Sequence, residues 1–290
     1  MRKIITPLKI MVALSILSAS GAIANDGEPK LLWTIEHLDQ PESVIADPGG
    51  KLLYISNING HPVELNGEGY ISKVSTEGDV LDKYWISGLD APKGMAIVGD
   101  NLYVADMQTL HVISLKENRV VEQFNAPEAM MLNDVTAAGD GSVYVSDLLG
   151  GAIYQLNQTT FSPWFSHQDL PHPNGVLWWE GELLIASWGE ELADDFSTQI
   201  PGSLYRLDST TMELQVVPTG YQLGNLDGIV VDRDKIYVSD WITGELYQLT
   251  DNERRKVLAL NPGLADIGSA PGVIYAPMMV DNHVSAWKIE

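Results

Sequence analysis

Six polar residues stand at matched positions along this chain: Glu42, Lys93, Asn133, Asn174, Asp227 and Asp266. Each lies at the start of a short apolar run, and the set recurs about every 40 to 50 residues. Brought to one place, three carboxylates, two amides and one amine would make an oxygen-rich centre with a cation beside it. A carboxylate set against a core is costly unless something compensates it. Carboxylate and amide oxygens suit a hard cation such as Ca²⁺, which takes oxygen ligands at about 2.3–2.6 Å. The chain has no Cys, and none of its His falls in the set, which disfavours Zn²⁺ and Cu. Ca²⁺ is therefore the first choice of divalent cation, with Mg²⁺, Mn²⁺ and Zn²⁺ as alternatives. Two other readings of the same residues stay open. Channel water can satisfy such groups, and Asn174-Gly175 and Asp227-Gly228 are also common turn dipeptides.

The elements that would position these residues are visible by self-comparison. LNDVTAAGDGSVYVSDLLGGAIYQL (132–156) aligns with LDGIVVDRDKIYVSDWITGELYQL (226–249). Each holds a polar residue, an apolar run, a Gly/Asp turn, an alternating strand ending in Ser-Asp, and a Tyr-Gln-Leu strand. Four further copies begin near residues 41, 91, 172 and 264. Short strands with turn signals at this spacing predict all-β structure, and about four strands per repeat predict propeller blades. Six copies predict a six-bladed β-propeller. The last copy is one strand short, and Leu31 to Ile35 is a spare strand before the first. It is expected to complete the last blade and close the ring, which removes two exposed edges. Two longer gaps predict insertions, at 59–68 in blade one and 189–202 in blade four.

In a propeller the first strand of each blade lines the axis, so the six repeated residues are expected to form a ring at one end of it. The second strands return to that same face. Their ends place Asp106, Asp147 and Asp240 where they would orient ligands or cap loops, with Asp147 and Asp240 also candidates for substrate contact. Trp188, Trp241, Met278 and Met279 would wall a pocket above the ring. His61, in the first insertion, is expected to reach that pocket and relay protons, and His172 is a similar candidate. Lys93 would pair with Asp266 or bind an anionic substrate group.

Composition narrows the partners. The 290-residue chain carries a net charge of −22, which argues against nucleic acid and anionic membranes as partners. Residues 1–24 read as a cleaved export signal: Arg2, Lys3 and Lys9, a short apolar run from Met11 to Leu17, and Ala22-Ile23-Ala24. Residues 25–290 then form a single propeller domain, expected in a bacterial periplasm or secreted, without disulfides. There is no Gly-x-x-x-x-Gly-Lys-[Ser/Thr] phosphate loop and no Gly-x-Ser-x-Gly elbow of a serine hydrolase. Nothing in the sequence sets an oligomeric state.

Pro41-Glu42-Ser43, Asn133-Asp134, Pro173-Asn174-Gly175 and Asp227-Gly228, in this order, resemble the senescence marker protein/gluconolactonase (regucalcin-like) family over essentially the whole mature chain. The resemblance implies a six-bladed propeller with a divalent cation, usually Ca²⁺, on its axis. It implies that Glu42, Asn174 and Asp227 are metal ligands, and that Asn133 is a fourth ligand or a substrate contact. It further suggests Asp227 as the acid/base residue in lactone hydrolysis. Lys93 and Asp266 have no mapped counterpart in that pattern. The expected function is a metal-dependent hydrolase of lactones or esters. The rivals are a non-catalytic metal- or ligand-binding propeller and a phosphotriester hydrolase at the same site.

Overall fold

A computed structural model describes residues 27–289. The 1–24 export-signal reading lies outside the described residues. Almost every regular element is a strand, and among the described residues the one helical element is a 3-10 turn at Pro218–Gly220. No helix among them is long and apolar enough to cross a membrane.

Six four-stranded antiparallel sheets form a six-bladed β-propeller. The axial strands are Pro41–Ala46, Pro92–Val98, Leu132–Ala137, Pro173–Trp179, Leu226–Asp232 and Gly268–Ala270. The returning second strands are Leu52–Asn57, Asn101–Asp106, Val143–Asp147, Glu182–Ser187, Lys235–Asp240 and Val273–Met278. The strand Lys30–Ile35 pairs antiparallel with His283–Lys288 and supplies the outer strand of the sixth blade, so the first and last described strands share one sheet. Trp33 secures this closure. Its ring stacks on Tyr275 at 5.8 Å, and its indole N–H donates to the Thr76 carbonyl of blade one at 2.9 Å.

The two inner strands of each blade bury most of their residues, because both faces of each blade meet a neighbour. The core is accordingly a set of wedges between blades. Val44, Leu53 and Ile55 of blade one pack on Tyr275, Val284 and Ala286 of blade six. Leu132, Val135 and Val145 of blade three pack on Ala105 and Leu110 of blade two. Similar wedges fill the remaining junctions. Burial on this scale, at about 25 cal/mol per Å² of apolar surface, holds the ring without disulfides, since the chain has no Cys. The blade-four insertion forms a small ribbon, Gly189–Glu190 paired with Ile200–Pro201.

Candidate metal and substrate site

A β-bulge in the axial strands builds the site. In blade one Pro41 pairs with Asn57, but the next pair is Val44 with Ile55. The axial strand thus advances three residues while its partner retreats two. The same shift follows Pro92, Leu132, Pro173 and Leu226. Bulges re-aim side chains. Here the second residue of each axial strand faces a cavity at one end of the axis, and those residues are Glu42, Lys93, Asn133, Asn174 and Asp227.

The sixth member is different from the one expected. Leu264 bridges Met278, and the strand resumes at Gly268 opposite Tyr275. This register puts Ala265, not Asp266, at the ring position. Hydrogen bonds between blades agree. Ser146 Oγ donates to the carbonyl of Asn174, a ring residue, at 2.5 Å, and Ser239 Oγ makes the same bond to Ala265 at 2.8 Å. Asp266 belongs one layer along the axis, level with Ser43, Gly94, Asp134, Gly175 and Gly228. It bridges Ser43 in parallel fashion and takes a hydrogen bond from the Ser43 hydroxyl. It does not line the ring cavity.

Asn174-Gly175 and Asp227-Gly228 are not turns. Both lie inside axial strands. A Cβ on Gly175 would overlap the Asp227 carbonyl oxygen, and one on Gly228 would overlap the backbone of Ile267. Glycine is needed here because the next blade approaches so closely, not for an unusual φ.

Four ring residues each carry a buried oxygen with no hydrogen-bond partner: Glu42 Oε2, Asn133 Oδ1, Asn174 Oδ1 and Asp227 Oδ1. All four side chains are at least 95 % buried, with relative exposures of 4, 4, 1 and 4 %. Buried polar atoms left without partners are rare and call for an explanation. The Asn174 amide nitrogen donates to the Leu226 carbonyl at 3.0 Å, which fixes the amide with its oxygen uncommitted. Among the described residues no group of three or more His, Cys, Asp or Glu is placed to hold a metal. The donor set here is instead two carboxylates and two amides, all oxygen, which fits a hard divalent cation.

Electrostatics point the same way. Burial, then the charges of Asp227 and Asp266, push the Glu42 carboxyl well above the ordinary range. Burial, then Asp266 and Asp240, do the same to Asp227. A cation among these oxygens would supply the missing favourable interaction and let both ionise. Lys93 provides only part of it. Its ammonium donates to the Ala91 carbonyl at 2.7 Å and lies 3.6 Å from the Met107 sulfur. Burial lowers it to about 8, opposed by the charges of Glu42 and Asp106. Among the described residues it forms no salt bridge, with Asp266 or any other acid.

Above the ring lies a cavity of about 570 Å³. Trp188, Trp241 and Met279 line it, as the sequence suggests, whereas Met278 packs between blades five and six. Asp147 and Asp240, expected to face substrate, do not line it. Their carboxylates are held by backbone N–H groups of adjacent loops: Met131 N, just before its axial strand, donates to Asp147 at 2.8 Å, and Ile242 N, in the following turn, and Asn225 N, just before its axial strand, donate to Asp240 at 3.1 and 3.3 Å. Asp106 does the same for Asp90 and Ala91 at 2.8 and 2.7 Å, and also meets His111. These acids brace the ring from behind. His61 is exposed on its loop and is not a lining residue, although its neighbour Pro62 is. His172 is held by the Leu148 carbonyl at 3.1 Å. Sequence reasoning missed Ile58, Met131, Leu148 and Phe196 as cavity walls. It also missed Asp134, whose carboxylate staples blade three to blade four through Val176 N at 2.7 Å.

No family model and no curated protein matches this chain. Solved structures do. A structural-genomics target described as a candidate gluconolactonase aligns over 92% of this chain and 93% of its own, with TM-score 0.63 and 15% identity. Virginiamycin B lyase from Staphylococcus aureus, crystallised with quinupristin, aligns over 91% of this chain and 100% of its own, with TM-score 0.58 and 13% identity. A chain of a nidogen/laminin complex aligns over 82% of this chain and 89% of its own, with TM-score 0.65 and 14% identity. At such identities these neighbours establish the propeller fold alone, and one fold serves many functions.

Proposed function

We infer that the ring holds a divalent cation of the Ca²⁺ type and that the protein is a metal-dependent hydrolase of lactones or esters, working in the periplasm. The observation that carries this reading is the set of four orphaned, buried oxygens on Glu42, Asn133, Asn174 and Asp227, all residues that line one open cavity at the end of the axis. When bound, such a cation polarises a carbonyl and stabilises the oxyanion formed from it. Asp227, a ligand with a second carboxylate oxygen, is positioned to take a proton from water or to attack the acyl carbon itself. Asn174 is orientated by Leu226, so its oxygen needs no rearrangement to act as a ligand. Lys93, held by Ala91, places a fixed positive charge at the floor, suited to a substrate carboxylate or a leaving alkoxide.

A purely structural cation would need no cavity above it, and the 570 Å³ space favours a substrate site over a non-catalytic module. Phosphotriester hydrolysis would use the same ligands and is separated by substrate. Calorimetric titration of the metal-free protein with Ca²⁺, Mn²⁺ and Zn²⁺, followed by a panel of lactones, aryl esters and phosphotriesters, tests the reading. One-site binding that Glu42→Gln and Asn174→Ala each weaken at least tenfold, with lactone or ester turnover, is expected. Binding that neither substitution changes would place the cation elsewhere. Cation binding without turnover of any substrate would favour the binding module.

A further inference from the structure

The cavity has two chemical zones. Its floor is the polar ring. Its wall is carbon: Ile58, Met131, Leu148, Trp188, Phe196 and Trp241. The Trp188 and Trp241 rings sit 6.0 Å apart and tilted by 54°, so they splay rather than stack. The polar atom of Trp188 is already spent, its indole N–H donating to the Phe196 carbonyl at 2.8 Å. That bond also ties the blade-four insertion, which carries Phe196, to the cavity wall.

Polar residues do occur at the mouth, above the carbon wall, and each has at least one polar atom taken by the protein. Asp39 accepts the Tyr70 hydroxyl at 2.6 Å and meets Lys83 at 2.9 Å. Asp195 accepts the Ser197 hydroxyl at 2.6 Å. Gln40 accepts from Gly60 N at 2.7 Å, and Asn282 accepts from Gln40 N at 2.9 Å. Asn59 donates to the Glu68 carbonyl at 3.0 Å. None of the lining residues is Ser, Thr, Tyr, His or Arg. A polyhydroxylated ring seated on the floor would press its hydroxyls against carbon, at about 1–3 kcal/mol for each one left unpaired. A hydrocarbon ring in the same place gains about 25 cal/mol for each Å² it buries.

We propose that the substrate is a lactone or ester carrying an apolar, ring-containing body rather than a polyhydroxylated sugar lactone. The carbonyl sits at the ring floor and the body lies against Trp188, Phe196 and Trp241. This rests on the hydrolase reading for the bond that breaks; the choice of body rests on the walls alone. In the reaction water adds to the acyl carbon, the acyl C–O bond breaks, and the proton passes to the departing oxygen. A lactone opens to a hydroxy acid, with no oxidant or further reactant.

Non-hydrolysable lactams separate binding from turnover. The full mature protein in excess CaCl₂ is titrated with 5-phenyl-2-pyrrolidinone and with gluconolactam, reading tryptophan fluorescence and heat. The phenyl lactam is expected to bind at least tenfold more tightly. Trp241→Ala, at a partly exposed position, is expected to weaken it about tenfold while Ca²⁺ binding stays unchanged, and Phe196→Ala repeats the test from the insertion. Equal or tighter binding of gluconolactam, or phenyl-lactam binding indifferent to both substitutions, overturns the proposal. Kinetics with γ-phenyl-γ-butyrolactone and glucono-δ-lactone form the second arm. A higher kcat/KM for the sugar lactone refutes the apolar specificity and leaves the hydrolase reading standing. Tight phenyl-lactam binding with neither lactone opened sinks the hydrolase reading and supports the apolar site.

Discussion

Lys93→Met probes the ring without touching a proposed ligand. Methionine keeps the length of the side chain and removes its charge. Lys93 is 1 % exposed, and burial lowers its ammonium from the ordinary 10.5 to about 8. At about 1.4 kcal/mol per tenfold, that gap corresponds to a folding penalty of about 3 kcal/mol at neutral pH. Against this, the substitution leaves the Ala91 carbonyl without the hydrogen bond it now accepts, a loss of about 1 kcal/mol. In metal-free protein the variant is therefore expected to be more stable at pH 7 by about 2 kcal/mol. The sign with pH follows from proton counts. Between about 8 and 10.5 the unfolded chain holds the Lys93 proton and the folded one does not, so wild-type stability rises with pH through that window. The penalty is fully present below about 8 and gone above 10.5, so the advantage of the variant shrinks as pH rises. Urea denaturation of both proteins in EDTA, at pH 7 and at pH 10, measures the difference. With the like charge gone, Ca²⁺ affinity should also rise at least tenfold. A variant less stable than wild type at pH 7, with the difference unchanged at pH 10, would refute the reasoning.

Three further outcomes follow from the axis. Burial raises the Asp266 carboxyl to about 7, opposed by its bond from Ser43. The folded state then holds a proton that the unfolded state releases above about 4, so stability falls from pH 4 to 7. Asp266→Asn should flatten that fall in denaturant titrations and add up to about 4 kcal/mol at pH 8. Ala265→Asp adds a carboxylate at the true sixth ring position and should tighten Ca²⁺ binding in calorimetry. Affinity that rises no more than in Ala193→Asp, a control on the insertion, would contradict the register. Gly175→Ala forces a methyl into the Asp227 carbonyl and should cost about 3 kcal/mol or more in thermal or chemical unfolding; a neutral result would mean the blades are less tightly apposed.

Much of this was legible in the sequence, for physical reasons. Period-two alternation and the repeat of Ser-Asp strand ends gave the blades. The missing last strand, set beside Leu31 to Ile35, gave the closure. Five ring members were legible because each sits second in an axial strand with a well-marked apolar run. The sixth was not, because its axial strand is only three residues long. The bulge also leaves two successive residues near the axis, so an acid in the third place looks like one in the second. The glycines after Asn174 and Asp227 were visible, but their cause is the approach of the next blade, which no local pattern encodes. Asp147 and Asp240 sit at strand ends where a carboxylate can face either cavity or loop, and free N–H groups in the loops decide it. Phe196 comes from an insertion, and no repeat predicts where an insertion folds.

The most direct test of the axial site is anomalous scattering from crystals grown with Mn²⁺, paired with a Ca²⁺ soak. A single peak on the axis, with Glu42, Asn133, Asn174 and Asp227 oxygens about 2.3–2.6 Å from the Ca²⁺, is the result expected here. A peak seated instead between Asp134 and Asp266, or crystals with no peak on the axis, would contradict it.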